Sequence, residues 1–423
     1  MTRFPSASRP RPSRRAAARL GTALVLALAA GACGSGGGPT RSAAPATTTP
    51  SSTAAGTCVR NEQDSACLPV APDAARVDRG RPGFSNPTRI TNPRFPVGEL
   101  TQVLQLGQEA GKTLRVEVTR LPETRSFEWD GRRVATVASQ FVAHLDGRIQ
   151  EVAIDYFAQA DDGSVWYFGE DVANYEDGTV ADHDGAWLAG KDGPPGMIMP
   201  ADPRVGDVYR SENIPGLVFE QDTVRSTTAT VDGPRGPVQG AALVEELLMD
   251  GSVEEKAFAP GYGEFQARAK DELVTVALAL PTDAAGGGPP AEVAALTGGA
   301  HASFDAAGAG RWAAAAARVD AMRAAWRRAG GSGVPELLAG QATGAVAALA
   351  KAVAARDPTR ARQAALRVEQ AALDLQLRYR APARVDLDRL DLRARQLLLD
   401  AAARDRGAAM VPAFRAALAA PGA

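Results

Sequence analysis

The chain predicts an α+β protein in two parts: an antiparallel β meander, as a sandwich or part-open barrel, followed by an Ala-rich four-helix bundle. Three observations lead there. Between about 84 and 282, apolar and polar residues alternate in short runs, as in Thr113-Leu-Arg-Val-Glu-Val-Thr119. Asp130-Gly131, Asp146-Gly147, Asp177-Gly178 and Asp250-Gly251 punctuate the runs with tight-hairpin chemistry. After Thr282 the breaker Ala-Ala-Gly-Gly-Gly-Pro-Pro gives way to Ala, Leu and Arg, and apolar residues take helical spacing.

Residues 1–32 read as a signal peptide. Six arginines and no acid precede the apolar run from Leu20 to Ala30, which is shorter than the about 20 residues a bilayer span needs. Ala30-Gly31-Ala32-Cys33 resembles the lipobox of bacterial lipoproteins, which implies acylation of Cys33 and attachment to the extracytoplasmic face of the cell membrane. Ser13-Arg14-Arg15 leaves the export route open between the general and twin-arginine pathways. Residues 33–57, rich in Gly, Ser, Thr, Ala and Pro, are expected to be a disordered linker with a reach of about 27 Å. In 58–83 the remaining cysteines, Cys58 and Cys67, suit a disulfide in an exported protein. A two-thiolate metal site would lack further ligands nearby.

The β domain is expected over 84–282, with further runs at Val134–His144, Glu151–Ala158, Ser164–Phe168 and Thr227–Val231. A linker is assigned to 283–308 and the bundle to 309–423. The first helix carries a stripe of Trp312, Val319, Met322 and Trp326; the second covers about 334–355. The third, about 359–380, points Leu366, Leu373, Leu377 and Tyr379 inward, and Pro382 ends it. The fourth starts near Asp386 with Leu387, Leu390, Leu397 and Leu398, and Pro412 kinks or splits its end.

The net charge of −2 becomes near −8 once the six leader arginines are removed, and it is unevenly spread. From 310 onward the chain carries +9, leaving about −17 on the mature part before it. Three alternatives stand: the halves dock on each other, the basic one faces anionic lipid, or the arginines solvate an Ala-rich bundle.

Four stretches, Asn92–Pro96, Trp166–Tyr175, Met199–Asp207 and Ala259–Gly263, resemble a β-rich domain of unassigned function found in exported bacterial proteins. The resemblance implies no activity, cofactor or site residue.

Chemistry-bearing patterns are sparse. His144, His183 and His301 are far apart, and Gly-x-Ser-x-Gly is absent, which argues against zinc and serine hydrolases. Asp182, His183 and Asp184 are the weak metal candidates of an acidic stretch that lacks the order of a calcium loop. Glu170 and Asp171 beside Trp166 and Tyr167 are a candidate paired-carboxylate site lining a sugar-binding cleft, and Trp166 and Tyr167 are also candidate ligand or lid residues. The Gly/Pro-rich segment 185–200 carries Trp187, Met197, Ile198 and Met199, and reads as a loop folded as a lid over the sheet. The expectation is a non-catalytic envelope module, without cofactor or nucleic-acid partner, that binds an apolar ligand or an envelope protein. A structural or assembly role in the cell envelope is one alternative, a hydrolase using acidic residues near Trp166–Asp184 is another, and the oligomeric state is left open.

Overall fold

In the computed structural model, the described residues are 58–329 and 333–403, with a short pairing of Leu20–Gly21 and Ala23–Leu24 further toward the N-terminus. Cys33, the linker and Pro412 lie outside them. The architecture is a fourteen-stranded antiparallel sheet, open rather than closed, followed by helices.

The strands are β1 Gln102–Glu109, β2 Lys112–Trp129, β3 Arg132–Leu145, β4 Arg148–Gln159, β5 Val165–Glu176, β6 Thr179–Asp182, β7 Trp187–Leu188 and β8 Gly196–Met199. They continue with β9 Val208–Ile214, β10 Val218–Gly233, β11 Gly236–Leu248, β12 Val253–Ala259, β13 Gly263–Ala269 and β14 Glu272–Leu280. β1–β5 pair in sequence, as do β9–β14, and β14 pairs with β1, so the ends of the domain meet in mid-sheet. Hairpin chemistry explains the order. Asp130-Gly131, Asp146-Gly147 and Asp177-Gly178 each place both central residues at positive φ, the backbone that matches the strand twist. Pro122 lies where the β2–β3 register shifts between Arg120 and Thr124, a position where a strand tolerates a missing N–H.

The sheet curls until its edge strands, β8 and β9, nearly meet. A Cβ added to Gly196 would lie 1.9 Å from the carbonyl oxygen of Ser211, so only glycine permits this approach. The concave face therefore encloses an interior. Phe95 crosses it, packing 5.0 Å from Phe157 on β4 and 6.3 Å from Phe258 on β12.

One sequence expectation fails around β5. The segment 185–200 is not a lid. Trp187–Leu188 pairs with Gly169–Glu170, and Gly196–Met199 pairs with Val165–Tyr167, so both pieces extend the sheet. Trp166, Tyr167, Trp187, Met197, Ile198 and Met199 all lie in the main aromatic core. Burial of their apolar area outweighs the turn-like glycines and prolines between them.

Among the described residues five helices follow, one more than expected: α1 Ala291–Gly308, α2 Trp312–Ala329, α3 Glu336–Ala354, α4 Pro358–Gln376 and α5 Pro382–Ala403. α1 lies wholly within the stretch 283–308 assigned to a linker. Gly299 is what lets α2 approach: a Cβ there would lie 2.4 Å from Met322 Cγ. α3 is apolar and long enough to cross a membrane, but its buried face, including Leu338, Val346 and Leu349, belongs to the helical core.

The basic helices dock on the acidic sheet. Leu104, Leu106, Leu278 and Leu280 on the convex face of β1 and β14 share one core with the helices. Beside them lies a buried ion network. Arg115 on β2 grips Asp374 on α4 with both guanidinium nitrogens, at 2.6 and 2.9 Å. Arg389 on α5 donates to Asp374 at 2.7 Å, Asp386 at 2.8 Å and Glu117 at 3.3 Å. Docking rotates α5 away from its expected face. Leu387 and Leu398 are exposed, while Val385, Leu392 and Leu399 are buried beside the charged Asp386, Arg389 and Arg393. A stripe reading assumes an apolar buried face, and here that face carries ions.

Candidate functional site

The interior of the curled sheet is the candidate site, and it is acidic. Along β4, Glu151, Ala153, Asp155 and Phe157 point the same way by strand alternation. Register places Asp155 opposite Glu170 on β5. Across the interior, Tyr209 lies opposite Asp222, Glu212 opposite Glu220, Asp222 opposite Glu246, Glu246 opposite Glu254, and Glu272 opposite Glu109. With Glu264, which Asp155 and Glu254 both sense electrostatically, these make eleven carboxyl groups. The single buried ammonium among them, within the described residues, is Lys256, whose Nζ lies 2.7 Å from Glu246 Oε2 and 4.0 Å from Glu264 Oε2, while the exposed Lys112 lies opposite Glu109.

Burial pushes most of these acids up. Desolvation leads in each case, and like-charged neighbours add to it: Asp155 and Glu264 rise to about 7, Glu254 to about 8 and Glu272 to about 9. Geometry requires protons too. Ser211 Oγ lies 3.0 Å from Glu220 Oε2 and 2.8 Å from Asp222 Oδ2. A hydroxyl has one proton to donate, so the second contact needs a protonated carboxyl donating to Oγ. Asp155 accepts from the Tyr167 hydroxyl at 2.9 Å, and Glu212 accepts from Trp187 Nε1 at 2.7 Å.

A cavity of about 80 Å³ opens beside this cluster. Phe95, Val97, Leu100, Val103, Val118, Phe141, Phe157 and Tyr262 wall it, and Asp155, Glu264, Gln105 and Ser139 supply its polar atoms. The segment Asn92–Pro96 holds one side. Asn92 Nδ2 donates to the carbonyls of Gly163 and Pro200 at 3.1 and 3.0 Å, and Gly261 N donates to Pro93 O at 2.8 Å. Arg94 donates to Gly240 O at 3.1 Å. The stretches at 92–96, 199–207 and 259–263 are thereby tied together at the cavity, and Phe157 of its wall stacks on Tyr167, inside 166–175, with centroids 4.9 Å apart.

The candidates read from the sequence are placed otherwise. Glu170 and Asp171 project from opposite faces of β5: Glu170 is buried inside, and Asp171 lies outside, bonded to Arg125 at 2.7 Å and the Tyr156 hydroxyl at 2.8 Å. Adjacent strand residues cannot converge on one bond, so the carboxylate pair is not a catalytic pair. Asp182 accepts from Asn174 Nδ2 at 2.7 Å and from Asp184 N at 3.1 Å, and His183 Nδ1 sits 2.5 Å from Val172 O. These are turn contacts rather than converging ligands. Among the described residues, His301, Glu369 and Asp391 come within metal-binding distance of one another. The Arg395 guanidinium bonds to all three and supplies the positive charge there. Cys58 and Cys67 are joined by a disulfide.

Sequence reasoning missed the acidic interior. Its signal was acids confined to one face of strands whose other face is apolar, as in Glu151-Val-Ala-Ile-Asp155, which looks the same as an ordinary solvated face. No family model matches the chain, and neither a curated protein nor a solved structure matches it.

Proposed function

We propose that this protein is a non-catalytic binding module of the cell envelope, tethered to the extracytoplasmic face of the cell membrane through lipidated Cys33, and that it holds a small ligand in the cavity of its β domain. The observation that carries the proposal is the cavity itself, with apolar walls converging on a few polar groups, as in pockets that orient one end of a ligand. Its volume is about 80 Å³, roughly half of a cavity that admits benzene, so it suits a small molecule or the tip of a larger one. The helical layer serves as a buttress. Its buried ion pairs to β2 hold the convex face of the sheet behind the cavity, a rigid support for a preorganised site.

Native mass spectrometry of detergent-free protein tests this, alongside uptake of a solvatochromic dye. A co-purifying ligand or dye uptake that Val118→Phe abolishes by filling the cavity is the expected result. Absence of both ligand and uptake counts against it.

A further inference from the structure

The buried charges follow two different rules. Under the helices, Arg115, Arg389 and Arg393 face Glu117, Asp374 and Asp386, all close to one another, and the sum is zero. Around the cavity, Lys256 is the single buried cation, within the described residues, among the acids named above; Lys112, opposite Glu109, is exposed. Enclosed charge is costly without a counter-charge, and the first network shows that this chain supplies counter-charges where the acids serve packing alone. Two further groups in the interior lack partners. The Tyr209 hydroxyl, on a residue 0% exposed, has no hydrogen bond and faces Asp222, Glu246 and Lys256. Both carboxyl oxygens of Glu151, also 0% exposed, are without hydrogen bonds, on the same face of β4 as Asp155 and four residues before it.

A bare metal ion fits poorly. Among the described residues, no three of these interior acids bring ligand atoms within metal-binding distance; His301, Glu369 and Asp391 alone do. An ammonium needs spaced acceptors rather than a tight shell, and aromatic faces add to its binding. Phe95, Phe157 and Tyr262 supply such faces on the cavity wall.

We infer that the ligand of this cavity is an organic ammonium, with its charged head at Asp155 and Glu264 and its apolar body against Phe95, Phe141 and Tyr262. The inference rests on the cavity being a binding site, as proposed above. Both head-group acids titrate at about 7, so an arriving cation ionises them and expels protons. Affinity therefore rises with pH between 6 and 8.

Isothermal titration of the full mature protein with n-butylammonium, n-butanol, butyrate and CaCl₂ tests it. n-Butylammonium is expected to bind with proton release, about tenfold or more tightly at pH 8 than at pH 6. Asp155→Asn and Glu264→Gln are expected to weaken it at least about tenfold, while Asp171→Asn, on the outer face, leaves it unchanged. Thermal melts of the two cavity variants confirm folding. Equal binding of n-butanol, untouched by either variant, leaves the cavity reading standing and overturns the ammonium. Binding of CaCl₂ alone overturns it in favour of a metal. No binding of any probe overturns both.

Discussion

Glu254→Gln is expected to stabilise the protein, and only at neutral to alkaline pH. Glu254 lies on the inner face of β12, 2% exposed, and burial lifts its carboxyl from 4.5 to about 8. A group whose pKa is raised by folding binds more protons in the folded state. Its contribution is therefore complete below the unfolded value and is lost as pH rises through the folded one. At pH 8 the cost of ionising or holding this proton reaches about 4 kcal/mol, at roughly 1.4 kcal/mol per unit. The attraction of Lys256 is already part of that value, and in the variant Lys256 keeps Glu246 at 2.7 Å. A net gain of about 2–4 kcal/mol at pH 8 is expected, with little change at pH 4. Urea denaturation of both proteins at pH 4, 6 and 8 measures it. Wild-type stability should fall across that range more steeply than that of the variant. A variant no more stable than wild type at pH 8 would show that these acids are solvated or already neutralised.

Arg389→Met should cost about 3–5 kcal/mol, because it leaves Glu117, Asp374 and Asp386 buried with too little positive charge; combining it with Asp374→Leu should recover much of that loss in thermal melts. Neighbouring arginines hold Glu117 and Asp374 below the usual carboxylate range, so the stability they supply is present above the unfolded value and lost as pH falls through the folded one. The acid limb of the melting profile should flatten in the arginine variant. Gly299→Leu should cost about 1–3 kcal/mol or more by driving a side chain into Met322, read by helical circular dichroism during melting. Cys33→Ala should move the protein from the membrane to the soluble fraction and abolish palmitate incorporation; equal membrane retention would remove the anchor from the proposal.

Strand alternation in Thr113–Thr119 and the Asp-Gly turns determined the meander from the sequence alone, because hairpin register is set within a few residues. The disulfide-compatible pair Cys58 and Cys67, and a helical half after Thr282, were legible for the same local reason. Tertiary structure decided what local patterns cannot encode. It turned the 185–200 segment into edge strands, since Trp187, Met197 and Met199 gain more from burial than their glycine-rich context loses. It made α1 a helix through the close approach at Gly299, and it rotated α5 so that Arg389 meets Asp374. Above all it decided the site. Acids confined to one face of a strand read as a solvated face until curvature encloses them, and curvature depends on strands far apart in sequence, such as β4 and β13, facing one another across the interior.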